Sequence, residues 1–304
     1  MRLESLNEIL SQFPDRDGYW SSTDLLETER KIKEKILPKH DTRYDLLTLE
    51  LYTQLARVQM LQGQMAEADK TLKMVEIELQ LHDESARKPV EIRLMLEHGR
   101  LFSMQMIPSK ALVFIKQAWD LARETSQSFS AIDAAVMLAL ISPLKRQSES
   151  LQWALTEAEE SKSEDAKLWL PFLYIMNAWA LFDTRQFDKA LQYFEKALSQ
   201  PQLPKQKIQT MTIKWSMART YRALGQFDTA MNIQNEIRLE FEATGDANGF
   251  VYLEIAENLR QQQKEQEAKP YFEMAYNILS KNLWFSDNKE SELSRMKELY
   301  KKRY

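Results

Sequence analysis

The 304-residue chain sets 41 Lys and Arg against 45 Asp and Glu, a formal net charge of −4 that argues against a general role on phosphate backbones or anionic lipid. It has no cysteine, which excludes disulfides and thiolate metal sites and leads us to expect a reducing, cytoplasmic setting. Hydrophobic residues make up 44% of it while only six are glycine, a composition suited to long helices with few tight turns.

Glu4 and Glu8 interrupt the apolar positions of the opening MRLESLNEILSQF, so no secretory signal is expected. No window reaches the ~18 apolar residues of a membrane span. Residues 2–13 and 22–37 are expected to form a helix pair within 1–40, with SSTDLLE offering a capping Ser or Thr and an acid three residues on. From residue 45 a frame repeats. Ala68, Ala111, Leu151, Ala190, Ala230 and Ala268 stand 43, 40, 39, 40 and 38 residues apart. Twelve residues before each comes a small residue: Ala56, Gly99, Ala139, Ala178, Ala218 and Ala256. Seven residues after each comes Val75, Ala118, Ala158, Ala197, Ile237 or Ala275. Small residues at fixed spacing on two consecutive amphipathic segments let helix backbones approach, with Tyr221, Phe194 and Phe272 filling the grooves beside them. Each unit therefore reads as a helical hairpin that buries its faces by stacking on its neighbours.

The turns fit this plan. GQ at Gly63 and Gly225 marks two of them, and Pro108 suits the first turn of PSKALVFIKQAW. Pro270 suggests a helix that starts late, and Pro143 falls where the first helix of a degenerate unit, 131–161, should still run. Residues 288–303 read as a polar closing helix behind an apolar hinge at Trp284 and Phe285. With no linker rich in Gly, Pro or Ser, one domain over 1–304 is expected.

These features resemble the tetratricopeptide repeat (TPR) over roughly residues 45–282, carried best by Tyr52, Leu55, Ala56, Gly63 and Ala68 and by Ala218, Tyr221, Gly225, Phe227 and Ala230. The period near 40 departs from the family's 34 and is similar to a group of stand-alone TPR proteins of unknown function. The resemblance implies an all-α, right-handed superhelical solenoid of six hairpins.

Signs of catalysis are absent. Gly245 and Gly249, in TGDANGF, are close together but lack a Walker lysine and a Rossmann strand, and read as a turn. His40, His82 and His98 fall in different units without a second histidine one turn away, so no metal is expected. No GxSxG elbow exists. The acidic run TEAEESKSED could be a carboxylate pair or cation site, or a solvated helix end; the terminal KKRY could touch an acidic partner, or complete a helix. No enzymatic activity and no cofactor are expected.

In the family the first helix of each hairpin lines the concave groove. With the small residue as position 8, positions 9 and 12 are implied to face it: Arg57 and Met60, Arg100 and Ser103, Leu140 and Pro143, Trp179 and Phe182, Arg219 and Arg222, Glu257 and Arg260. Trp215 lies one turn before Arg219, and Phe172 and Met176 accompany Trp179. Arg57, Arg100, Met176, Trp179, Phe182, Trp215, Arg219, Arg222 and Arg260 are thus the candidate peptide-binding residues. Arginine grips carboxylates bidentately and tryptophan anchors apolar groups, a pairing suited to a peptide with acidic and apolar side chains. The alternative is that the aromatics pack between hairpins while the arginines pair with Glu50, Glu97, Asp183 and Glu254. The lysine and asparagine clamp of chaperone-binding TPR domains is replaced by Thr53, Arg93, Arg57 and Glu97, which disfavours a chaperone tail. The expected function is a non-catalytic adaptor that binds a protein or peptide, without nucleic acid or membrane. The competing reading is a sensor of a ligand or signalling peptide that acts through a separate regulatory protein, since the forty residues before the first repeat are too few for a DNA-binding segment.

Overall fold

The computed structural model describes residue 20 and residues 24–36, 44–142, 144–201 and 207–302, without the side chains of 144–146, 207–209, 283 and 284. The expected helix over 2–13, and with it His40, Pro143 and the last two residues of KKRY, lies outside that description. Among the described residues all regular structure is helical. The chain divides into two compact units, 1–177 and 178–304.

The first unit holds α1 (Leu25–Ile36), α2 (Leu46–Leu61), α3 (Met65–Leu79), α4 (Glu84–Met104), α5 (Pro108–Glu124), α6 (Ser128–Ile141), α7 (Leu144–Glu160) and the short α8 (Glu164–Lys167). The boundary falls within α9 (Leu170–Asp183). The second unit continues with α10 (Phe187–Leu198), α11 (Lys207–Ala223), α12 (Phe227–Glu242), α13 (Gly249–Gln261), α14 (Glu265–Leu279), α15 (Leu283–Asn288) and α16 (Glu290–Lys301). Consecutive helices pair as helical hairpins, as the repeat frame implies.

The repeat frame is the core. All eighteen residues that set it, from Ala56, Ala68 and Val75 through Ala256, Ala268 and Ala275, are buried. At Gly99 of α4 smallness is required, since a Cβ there would stand 2.5 Å from Ile115 Cγ1 of α5. Five hairpin turns share one construction. A single residue takes positive φ: Gly63, Met106, Arg185, Gly225 or Gln263. The next N–H then reaches back to the carbonyl five residues earlier, from Gln64 to Gln59, Ile107 to Phe102, Gln186 to Leu181, Gln226 to Tyr221 and Lys264 to Leu259, at 2.8–3.0 Å. This is the Schellman arrangement, which satisfies the orphan carbonyls of a helix end.

Three details differ from expectation. Asp24, rather than a Ser or Thr, caps α1 by accepting from the Glu27 N–H at 2.9 Å, and its charge also suits the positive end of the helix. The helix holding Pro270 does not start late: α14 begins at Glu265. The missing proline N–H is the one that would have met the carbonyl of Gln266, an exposed residue in the first turn of α14. The apolar hinge at 284 and 285 is a short helix, α15, whose Phe285 is buried with its ring 5.6 Å from that of Phe250.

Candidate functional site

The nine candidate residues fall into two sets. Arg57, Arg100 and Met176 belong to the first unit; Trp179, Phe182, Trp215, Arg219, Arg222 and Arg260 belong to the second.

In the first unit Arg57 and Arg100 are buried beneath neighbouring helices. Arg57 donates to Glu97 Oε1 from Nη2 at 2.5 Å and from Nε at 3.0 Å, and its Nη2 stands 3.6 Å from Asp133 Oδ2. Arg100 donates to the same Glu97 oxygen at 2.7 Å and also to Asp133. Trp20 lies over the Arg57 guanidinium at 5.5 Å. Burial alone would lower the Arg57 pKa, but the carboxylates of Glu97 and Asp133 outweigh it and hold the net shift upward, so the guanidinium is charged. Two cations and two anions close on one another here, and the result is an ionic core between repeats. Met176 is buried as well.

In the second unit the picture is different. Trp179 and Phe182 project from α9, Trp215, Arg219 and Arg222 from α11, and Phe250 and Glu254 from α13, each set spaced three or four residues apart and so on one helix face. The rings form a continuous row. Centroids are 5.2 Å apart for Phe187 and Phe182, 5.2 Å for Phe182 and Trp179, 6.2 Å for Trp179 and Trp215, and 6.4 Å for Trp215 and Phe250. Trp215 Nε1 donates to the Phe250 carbonyl at 3.2 Å, which fixes the indole. Trp179 is also core, meeting Phe194 of α10 at 5.6 Å, whereas Phe182 and Trp215 are half-buried and Phe250 is exposed.

Arg219 sits in the angle of this row. Its guanidinium carbon is 5.7 Å from the Trp179 ring, 5.6 Å from Phe182 and 5.6 Å from Trp215. Arg222 takes both oxygens of the buried Glu254, Nε to Oε2 at 2.8 Å and Nη2 to Oε1 at 3.2 Å. Arg219 Nε is left 3.7 Å from Glu254 Oε1, beyond hydrogen-bond range. Among the described residues the Arg219 guanidinium makes no hydrogen bond, and its Nε is buried without a partner. Arg260 is exposed and pairs at 3.0 Å with Glu257, which also receives Arg295 from α16.

Asp133 and Phe250 were not among the candidates. Both stand at position 2 of the frame, six residues before Ala139 and Ala256. Position 2 shares a helix face with 5, 9 and 12, so extending the stripe one turn earlier would have found them. The acidic run also does more than face water: Glu157 accepts from Ser128 at 2.6 Å and Glu159 from Tyr174 at 2.9 Å. Among the described residues no cluster of His, Asp or Glu could hold a metal, and no helix is long and apolar enough to cross a membrane.

Residues 173–200 match a family model for the tetratricopeptide repeat. This chain therefore carries a segment of tetratricopeptide-repeat type. Solved structures with the same fold extend the likeness beyond the matched segment. A signal-transduction ATPase with a tetratricopeptide repeat sensor from Pyrococcus horikoshii is 13% identical with a TM-score of 0.63, covering 91% of this chain. The present chain spans 42% of that protein's length. The apo quorum sensor NprR from B. thuringiensis is 11% identical with a TM-score of 0.65, covering 91% of this chain and 76% of its own. NprR in complex with its cognate peptide NprX matches at 14% identity and a TM-score of 0.56, over 90% and 79%. Aspartyl phosphate phosphatase F from Bacillus subtilis is 15% identical with a TM-score of 0.60, covering 99% of this chain and 80% of that one. No curated protein sequence matches this chain.

Proposed function

We propose that this chain is a non-catalytic binding module of tetratricopeptide-repeat type, and that the face formed by α9, α11 and α13 takes a peptide segment bearing an acidic side chain beside an apolar one. The observation that carries the proposal is Arg219: a charged fork held by three aromatic rings, with no hydrogen bond of its own, next to an arginine that has already taken the nearby carboxylate. A guanidinium stacked on rings keeps its N–H edge for a carboxylate, and the half-buried Trp215 and exposed Phe250 supply apolar area beside it. The fold that this chain shares with NprR, a sensor solved with its peptide, makes a signalling peptide one form such a segment could take.

Selection from a random peptide library on the full chain tests the reading. Enriched sequences should place Asp or Glu within a few residues of an aromatic or branched aliphatic side chain. Their affinity for an Arg219→Gln protein should fall about 10- to 100-fold, the value of one charge-assisted contact. Basic consensus peptides, or acidic ones that bind the variant equally well, would reject it.

A further inference from the structure

A hollow lies within the first unit, and none of its lining residues belongs to the proposed peptide face. It occupies about 230 Å³ where the end of α5, the turn into α6 and the middle of α7 meet, lined by Arg123, Ser126, Gln127, Ser128, Trp153 and Glu157 among others. Its walls are set by the backbone: Ser126 takes a φ of 54°, and the Gln127 N–H returns to the Ala122 carbonyl at 2.8 Å, the same construction as the hairpin turns.

Two opposite charges face this hollow without meeting. Arg123 is exposed, and its guanidinium carbon lies 5.1 Å from the Trp119 ring and 5.5 Å from the Trp153 ring, two indoles set nearly perpendicular at 81°. Among the described residues Arg123 has neither an ion pair nor a side-chain hydrogen bond, although Glu157 lines the same space. The indoles therefore fix the guanidinium by its face and leave its N–H edge without a protein partner among the described residues. Glu157 is fixed in its turn, since Oε1 accepts from Ser128 Oγ at 2.6 Å, while among the described residues Oε2 accepts nothing. Gln127 Nε2 donates to Thr125 at 3.2 Å, so its amide oxygen remains as an acceptor.

We propose that this hollow is a binding site for a small zwitterion of the α-amino-acid class, its carboxylate on Arg123 and its ammonium on Glu157 and the Gln127 amide oxygen. A phosphate or other bare anion would face the Glu157 carboxylate, and a bare cation would face Arg123. A ligand carrying both signs is the one that meets both walls with opposite charge. The volume suits a single amino acid rather than a folded peptide.

The test is a saturation-transfer NMR titration of the full chain with four probes: L-leucine, leucinamide, 4-methylpentanoate and inorganic phosphate. L-Leucine should bind saturably. Leucinamide, which lacks the carboxylate, and 4-methylpentanoate, which lacks the ammonium, should each bind about tenfold more weakly or worse. Arg123→Gln and Glu157→Gln should each weaken L-leucine to the same degree. Both substitutions retain hydrogen-bonding capacity at groups outside the core, and an unchanged thermal midpoint will confirm that the proteins fold. Arg219→Gln should leave this binding untouched, which separates the site from the peptide face. Absence of saturable L-leucine binding, equal binding of the acid or of phosphate, or indifference to both pocket substitutions would each overturn the proposal.

Discussion

Arg57 and Arg219 both occupy position 9 of the frame, and Glu97 and Glu254 both occupy position 6 of the unit that follows. The same relation has two outcomes. Arg57 bonds Glu97 directly and is sealed with Arg100 and Asp133, whereas Arg222 claims Glu254 and leaves Arg219 among rings at 3.7 Å. The two arginines of α11 should therefore behave differently on substitution. Arg222→Gln leaves Glu254 buried with its main partner gone and should cost about 1–3 kcal/mol in urea unfolding. Arg219→Gln loses only ring stacking and a longer-range attraction, and should cost less than about 1 kcal/mol. Equal losses would make Arg219 a structural ion pair. Periodicity made legible which side chains share a face. It did not make legible which arginine is satisfied, because that depends on carboxylates 32 to 40 residues away, such as Glu254 and Glu97, and on Asp133, which stands at position 2, one turn before the stripe at 5, 9 and 12.

At the scale of the helices, the hairpins were legible from their small residues, and the turns only partly so. Gly63 and Gly225 announce a left-handed residue, but Met106, Arg185 and Gln263 fill the same place with φ near 60°. Backbone hydrogen bonding dictates the geometry there, and side-chain type gives no sign of it. A Cβ on Gly225 meets nothing within 4 Å, so Gly225→Ala isolates the conformational cost and should destabilise by about 1–2 kcal/mol. Arg185→Gly should move the other way, gaining up to about 1 kcal/mol after the extra freedom of glycine in the unfolded chain is counted. Urea midpoints of the two proteins against wild type decide this. A stable Gly225→Ala or a clearly destabilised Arg185→Gly would show that the turns are not set by the left-handed residue.

For the whole molecule, the eighteen buried frame residues account for how the helices of each hairpin pack, and the side chains proposed to take a peptide sit on first helices. The proposal of a binding module rests on what α9, α11 and α13 leave exposed, Phe182, Trp215, Arg219 and Phe250 in part, after each hairpin has buried its seam. The most direct measurement is photo-crosslinking of a selected acidic peptide, carrying a benzophenone next to its acid, to the full chain, with adducts mapped by mass spectrometry. The account predicts adducts concentrated on α9, α11 and α13 around Phe182, Trp215 and Phe250, and their loss in the Arg219→Gln protein. Adducts confined to the first unit or to α16, or a pattern that survives the substitution, would contradict it.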